Sequence, residues 1–134
     1  MSRPNPHPVE VAIGLIERDG RYLVGRRPTG SHLAGAWEFP GGKRKDGEEW
    51  QDCLARELAE ELGVRAEVEE SLGVIDFSYP DCTVRLAAFR CRIVEGQPQP
   101  RRVEELRWVT LRELAGLPYP PANQPLIERL ARLA

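Results

Sequence analysis

Residues 42–64 of this chain are GKRKDGEEWQDCLARELAEELGV, a segment that predicts a loop, one helix and a second loop. The helix is expected over residues 49–62, because Gly63 stands where a left-handed C-cap would end it. At about 100° per residue, four apolar side chains fall along one stripe of this helix. They are Trp50, Leu54, Leu58 and Leu62. The segment therefore predicts an amphipathic helix with that stripe buried.

Three glutamates of this helix have spacings that bring their carboxylates together. Glu57, Glu60 and Glu61 are at i, i+3 and i+4, on neighbouring turns of one face, and Glu61 falls inside the apolar stripe. Like charges beside apolar surface destabilise a helix and resist desolvation, and Arg56 alone does not neutralise three carboxylates. A divalent cation such as Mg²⁺ or Mn²⁺ would compensate, because these hard ions choose carboxylate oxygens. A solvated acidic face is the alternative that the helix by itself leaves open.

The rest of the chain predicts a mixed α/β fold. Strands are expected at residues 9–17, 22–25, 65–78, 83–94 and 104–109, with a hairpin at Asp19-Gly20 and a turn at residues 79–81. Residues 28–47 are predicted to be a long loop with one short strand. Thr110 is expected to cap a short helix that ends at Leu114, and a final amphipathic helix is expected from Asn123 onward. Strands on both sides of a central helix indicate a mixed sheet rather than a regular βαβ array.

Composition narrows the class of protein. The chain has 134 residues, which predicts one domain over residues 1–134. A formal net charge of −2 argues against a polybasic binder of nucleic acid or membranes, and no apolar run approaches the roughly 18 residues of a membrane span. Three cysteines at irregular spacing argue against a disulfide framework or a zinc cluster. We therefore expect a soluble cytoplasmic protein with reduced thiols.

The segment from Gly42 also fits a longer pattern without a mismatch. The pattern is Gly, five residues, Glu, seven residues, then Arg-Glu-apolar-any-Glu-Glu-any-Gly-apolar. This is the Nudix box, and the chain resembles the Nudix hydrolases. The resemblance implies an α/β/α sandwich with a central mixed β-sheet. It also implies a Mg²⁺-dependent enzyme, with Mn²⁺ as a second option, that hydrolyses a nucleoside diphosphate linked to another group.

Matching positions assign expected roles within the box. The resemblance implies that Glu57, Glu60 and Glu61 are metal ligands, with Glu57 also placed to orient or deprotonate the attacking water. It implies that Arg56 orients this carboxylate cluster, so that Glu57, Arg56 and Glu60 are the expected catalytic residues.

Other expected site residues each have a structural alternative. Glu48 is implied to support the cluster, or it is an acid favoured by the helix dipole in the first turn. Gly41 or Gly42 is implied to offer a backbone carbonyl to the metal, with Gly41 preferred, or both simply form a tight turn. A late glutamate is implied as a further metal ligand or as the catalytic base, and the sequence does not choose between Glu104 and Glu105. Glu105 is taken as the candidate metal ligand, and surface ion pairs with nearby arginines are the alternative for both.

Three further segments resemble the MutT branch, whose members convert nucleoside triphosphates to monophosphates and pyrophosphate. They are Gly25-Arg26-Arg27, the WEFPGG stretch at residues 37–42 and the PPANQP stretch at residues 120–125. The resemblance implies that Asn123 contacts an oxidised guanine such as that of 8-oxo-dGTP, since an amide offers both a donor and an acceptor. The alternative is that Asn123 caps the last helix.

Two more residues are expected at the substrate. Arg27 is implied to meet its phosphate or sugar side, or it is an ordinary surface arginine. Phe39 is implied to line the base pocket, or it anchors the core. The expected partner is a nucleoside triphosphate, with no nucleic acid and no membrane, and the chain is expected to be a monomer or homodimer.

The choice of base stays open at this point. Residues 16–20 and 34–39 also resemble Nudix enzymes that act on CTP and modified dCTP, and Asp81-Cys82 lacks a basic residue found there in the best-studied MutT type. A non-catalytic nucleotide-binding module is a further alternative. The intact box argues against it, because such modules commonly lose box carboxylates.

Overall fold

The computed structural model describes residues 7–133 as a mixed sheet with three α-helices against it. The strands are β1 Val9–Arg18, β2 Arg21–Arg26, β3 Trp37–Glu38, β4 Gly41–Lys43, β5 Arg65–Tyr79, β6 Cys82–Glu95 and β7 Glu105–Val109. The helices are α1 Trp50–Leu62, α2 Leu111–Ala115 and α3 Gln124–Leu133, with a 3₁₀ turn at Pro121–Asn123 just before α3.

The seven strands form one sheet whose main path runs β3-β2-β1-β6-β5, with β4 paired to β1 and β7 paired to β2. The pair of β1 and β6 is parallel, and the other pairs are antiparallel. The mixed sheet predicted from the sequence is therefore confirmed. Strand β1 lies at its centre and carries neighbours on both edges.

The sheet is covered on both faces, because β1 and β6 alternate their apolar side chains between two layers. Ala12 and Ala87 belong to the apolar cluster under α1, together with Leu54 and Leu58. The intervening residues of the same strands face a second cluster, which includes side chains of α2 and α3. Its members from the strands and from α3 include Ile13, Leu15, Leu86, Ala88, Leu126 and Ile127.

Helix α1 begins one residue later than expected and ends as predicted. Its N-cap is Glu49, and Gly63 adopts φ 70° while its N–H bonds to the carbonyl of Ala59 at 3.0 Å. Leu54, Leu58 and Leu62 are fully buried, as the apolar stripe predicted. Glu48, in contrast, lies outside the helix, so it is not an acid of the first turn.

The connections match the sequence closely except in one region. Asp19 and Gly20 both have positive φ and close the β1–β2 hairpin, and Pro80-Asp81 form the turn between β5 and β6. Thr110 and Glu113 form a reciprocal capping box at the start of α2. Residues 28–47 contain two short strands instead of the one expected. The second, β4, is largely glycine and exists because its backbone pairs with β1.

Candidate active site

The glutamates of α1 lie where the helix faces β4, and two arginines bridge them. Glu57 and Glu61 are each 8 % exposed. The Nη1 atom of Arg56 is 2.8 Å from Glu57 Oε1 and 3.3 Å from Glu60 Oε2. The Nη2 atom of Arg102 is 3.1 Å from the same oxygen of Glu60, and its Nη1 atom is 3.6 Å from Glu57 Oε2. Each arginine therefore joins the same two carboxylates.

Glu48 holds Arg56 in this position. Its carboxylate accepts hydrogen bonds from Arg56 Nε at 2.8 Å and from Arg56 Nη2 at 3.0 Å. The backbone N–H of Lys45 donates to it as well, at 3.0 Å. Bonding to Arg56 lowers the pKa of Glu48 to about 2. Glu48 therefore fixes the guanidinium of Arg56, which is the contact that a supporting carboxylate would make, and its role in the cluster stays a prediction.

Gly41 and Gly42 are required by close packing on both sides of β4. A Cβ atom on Gly42 would overlap the carboxylate of Glu57, and one on Gly41 would overlap the carbonyl oxygen of Ala12 on β1. The N–H of Gly41 also points to Glu61 Oε2, at 3.4 Å. The two glycines therefore form more than a tight turn, because they let the backbone reach the carboxylates.

Glu61 shows that negative charge at this site is poorly compensated. Burial is the main cause that raises its pKa to about 8, the Gly41 N–H partly opposes it, and the negative charges of Glu38 and Glu57 raise it further. Burial also raises the pKa of Glu38, although Arg27 lies 2.9 Å away and opposes the shift. A cation bound here would favour the ionised carboxylates.

The donor set fits a hard divalent cation, although the side chains are not arranged around one. Within residues 7–133 no three Asp, Glu, His or Cys side chains converge on a common point that could hold a metal. The oxygens of Glu57 and Glu60 face arginines instead. The fit rests on the donors, which are all oxygens, and on the Gly42 backbone, which leaves room for the Glu57 carboxylate.

The late glutamates pair with other residues. Glu105 lies 3.5 Å from both Arg26 and Arg107, and Glu104 accepts a bond from the N–H of Thr29 at 2.8 Å. These are the surface contacts that formed the alternative, so the role of Glu105 as a metal ligand stays a prediction. The late residue that contacts the cluster is Arg102, in the loop before β7.

A cavity of about 370 Å³ adjoins this cluster, and Gly41 and Gly42 form part of its wall. Its apolar walls come mainly from β1, β6 and the 3₁₀ turn, with residues that include Val11, Ile13, Val84, Leu86 and Ala122. The three predicted substrate residues, Arg27, Phe39 and Asn123, all line it.

Asn123 is the buried polar side chain of the cavity. It is 5 % exposed, and within residues 7–133 its side chain makes no hydrogen bond. A 3₁₀ turn over Pro121–Asn123, whose own N-cap is Pro120, runs directly into α3 at Gln124, so the capping role and the base contact of Asn123 both stay predictions. Without a hydrogen-bond partner among the described residues, the Asn123 amide is available to a ligand in the cavity.

Arg27 and Phe39 are both fixed in place. Arg27 donates to Glu38 at 2.9 Å and to the carbonyl of His32 at 2.6 Å, and its role at the substrate stays a prediction. Phe39 is 2 % exposed and packs edge-on against Tyr22. It therefore anchors the core and lines the cavity at the same time.

Two residues of the site were missed by the sequence analysis. Glu38 lies between the buried aromatics Trp37 and Phe39, and a charge in that setting was a usable signal. Arg102 gave no signal, because its place depends on how residues 96–104 fold over α1.

The fold and the site define a mixed α/β protein in which a loop–helix–loop segment carries carboxylates beside a ligand-sized cavity. The sequence matches the NUDIX domain family over residues 11–129, and the chain belongs to this family. Among the described residues no helix combines the length and the apolar character that crossing a membrane requires.

Individual relatives cover nearly the whole chain. The chain is 36 % identical to the CTP pyrophosphohydrolase of Escherichia coli K12 over 93 % of both chains. It is 31 % identical to the 8-oxo-dGTP diphosphatase of the same strain, over 93 % of this chain and 98 % of that one. The crystal structure of the MutT protein from Methanosarcina mazei Go1 superposes with a TM-score of 0.82 at 27 % identity, over 96 % of each chain.

Proposed function

We propose that this protein hydrolyses nucleoside triphosphates to monophosphates and pyrophosphate, and that an oxidised purine nucleotide such as 8-oxo-dGTP is its preferred substrate. The observation that carries the proposal is the continuity between the carboxylate cluster and the cavity. Gly41 and Gly42 border both, so a nucleotide whose base fills the cavity extends its phosphates toward Glu57 and Glu60.

The proposed cofactor is Mg²⁺, or alternatively Mn²⁺, held by Glu57, Glu60 and Glu61 with the Gly41 carbonyl and Glu105. When bound, it would neutralise phosphate charge and lower the pKa of a bound water. Arg56 keeps the carboxylate of Glu57 in a fixed orientation, 2.8 Å from its own guanidinium. Glu57 is thereby placed to orient or deprotonate water for in-line attack at phosphorus.

Base selection is assigned to the other end of the site. Asn123 presents a buried donor and a buried acceptor beside apolar walls. A base that bonds to only one of them leaves the other without a partner, and this lowers its binding affinity. The second candidate is a cytosine nucleotide such as CTP. It is favoured by the 36 % identity to the CTP pyrophosphohydrolase, against 31 % to the 8-oxo-dGTP diphosphatase of the same strain.

The test is pyrophosphate and phosphate release with Mg²⁺ across 8-oxo-dGTP, dGTP, CTP, 5-substituted dCTP and ADP-ribose. We expect the highest kcat/KM for 8-oxo-dGTP, with pyrophosphate as the product. A preference for cytosine nucleotides would replace the proposed base and keep the chemistry. Binding of these nucleotides without turnover would establish the non-catalytic alternative.

We place this activity in the cytoplasm, with a free nucleotide rather than nucleic acid or a membrane as partner. Cys53, Cys82 and Cys91 are all free thiols, which supports a reducing compartment. The protein is proposed to act as a monomer or homodimer.

A further inference from the structure

The loop between β6 and β7 is tied to the end of α1 by its backbone. The N–H of Gln99 donates to the carbonyl of Leu62 at 2.8 Å, and the N–H of Arg101 donates to the carbonyl of Glu61 at 3.2 Å. Further along, the N–H of Glu104 donates to the carbonyl of Arg26 at 3.0 Å. Arg102 lies between these anchors, so the loop presents its side chain to the carboxylate cluster.

The two arginines of the cluster are held very differently. Arg56 bonds to Glu48, Glu57 and Glu60 and to the carbonyl of Lys43, and its side chain is 22 % exposed. Arg102 forms ion pairs only with Glu57 and Glu60 among the described residues, and its side chain is 54 % exposed. Arg56 is thus a fixed part of the site, whereas Arg102 is an exposed cation that can change partners.

We propose that Arg102 binds the phosphate groups of the nucleotide, and that Glu57 and Glu60 hold its guanidinium over the site until a divalent cation takes these carboxylates. A metal ion needs the same oxygens that Arg102 contacts, so the two cations compete. A guanidinium released beside the cluster is suited to phosphate oxygens, which it binds in a bidentate manner. This inference rests on the proposed function of the same site.

The first test measures metal binding without nucleotide. Free Mn²⁺ is counted by electron paramagnetic resonance during titration of wild type, Arg102→Ala and Arg101→Ala. Removal of a partly exposed competing cation should tighten Mn²⁺ binding about two- to fivefold in Arg102→Ala. Arg101→Ala is the matched control, because it removes the same charge from the same loop but its side chain has no ion pair among the described residues. An equal shift in both variants would show a general charge effect and overturn the competition.

The second test measures phosphate binding with saturating Mg²⁺. The probe is inorganic pyrophosphate, followed by KM for the nucleotide that the panel identifies. Arg102→Ala should weaken both about tenfold, the size of a lost charge-assisted contact, and Arg102→Lys should recover part of the loss. Arg101→Ala should resemble wild type.

The outcomes separate this inference from the proposed function. Pyrophosphate affinity and KM within twofold of wild type in Arg102→Ala would overturn the role of Arg102, even in a fully active enzyme. A wild-type protein that hydrolyses no nucleotide, but whose pyrophosphate binding depends on Arg102, would overturn the proposed function and leave the phosphate site standing.

Discussion

The two ends of the site are built in opposite ways. At the acidic end Glu57 and Glu60 each face two arginines, and Arg56 is fixed in turn by Glu48. At the other end the buried Asn123 has no side-chain hydrogen bond within the described residues and lies in a cavity with mainly aliphatic walls. The difference indicates a division of labour. Under the proposed function, ion pairs within the protein set the geometry for chemistry at the acidic end, and the Asn123 amide at the other end is available to bond the base.

The largest effect is expected from a substitution in the acidic end that leaves the cavity unchanged. Glu60→Gln removes the charge of a proposed metal ligand, so kcat should fall by about 10³-fold or more while nucleotide selectivity is retained. Steady-state kinetics with Mg²⁺ across the nucleotide panel measures both quantities. The matched control is Asp52→Asn, an exposed carboxylate in the first turn of the same helix. Activity close to wild type in Glu60→Gln would remove the cluster from the mechanism.

A smaller effect is expected from the other end of the site. Asn123→Ala removes the buried amide, so discrimination between the preferred and the competing base should fall by about 10- to 100-fold. The kcat for the poorer nucleotide should stay near the wild-type value, because the carboxylates are untouched. The comparison uses kcat/KM ratios for wild type, Asn123→Ala and the exposed neighbour Gln124→Ala. If Asn123→Ala lost activity equally on every nucleotide, the division between the two ends would not hold.

The smallest effect is on folding stability, measured as a function of pH with a chelator present so that no metal ion is bound. The folded-state pKa of Glu61, about 8, lies above the ordinary value of 4.5, so the folded protein retains a proton that the unfolded chain releases. Stability should therefore fall as pH rises between these two values. Glu61→Gln lacks this titration, so between pH 5 and 8 its melting temperature should fall by several degrees less than that of wild type. If the melting temperatures of the two proteins changed equally with pH, the pKa of Glu61 in the folded protein would be the ordinary one.

Much of the fold was readable from local sequence. The α1 stripe, the Gly63 cap, the Asp19-Gly20 hairpin and the Thr110 cap are confirmed, because each depends on residues close together in the chain. Strand β4 was not predicted, since glycine has little strand preference and only pairing with β1 creates it.

The site residues show the same difference between features set by nearby residues and features set by distant ones. Glu57, Glu60 and Glu61 share one helix, so helical spacing alone groups them, and the matched motif added Glu48 and Arg56. Arg102 was beyond prediction, because it reaches the cluster through a loop folded over α1 from far along the chain. The 3₁₀ turn over Pro121–Asn123 was not predicted either, and it places Asn123 in helical backbone directly before α3.

The partition between cluster and cavity has a consequence for how such proteins diverge. Where the two halves meet, Gly41 and Gly42 contribute only backbone. The cavity-lining side chains of β1, β6 and the 3₁₀ turn can therefore be substituted without a steric clash with the carboxylates. A lineage can change the base that it accepts while inheriting its hydrolytic machinery intact. The two Escherichia coli relatives, similar to this chain over the same span yet named for different nucleotides, fit such a history.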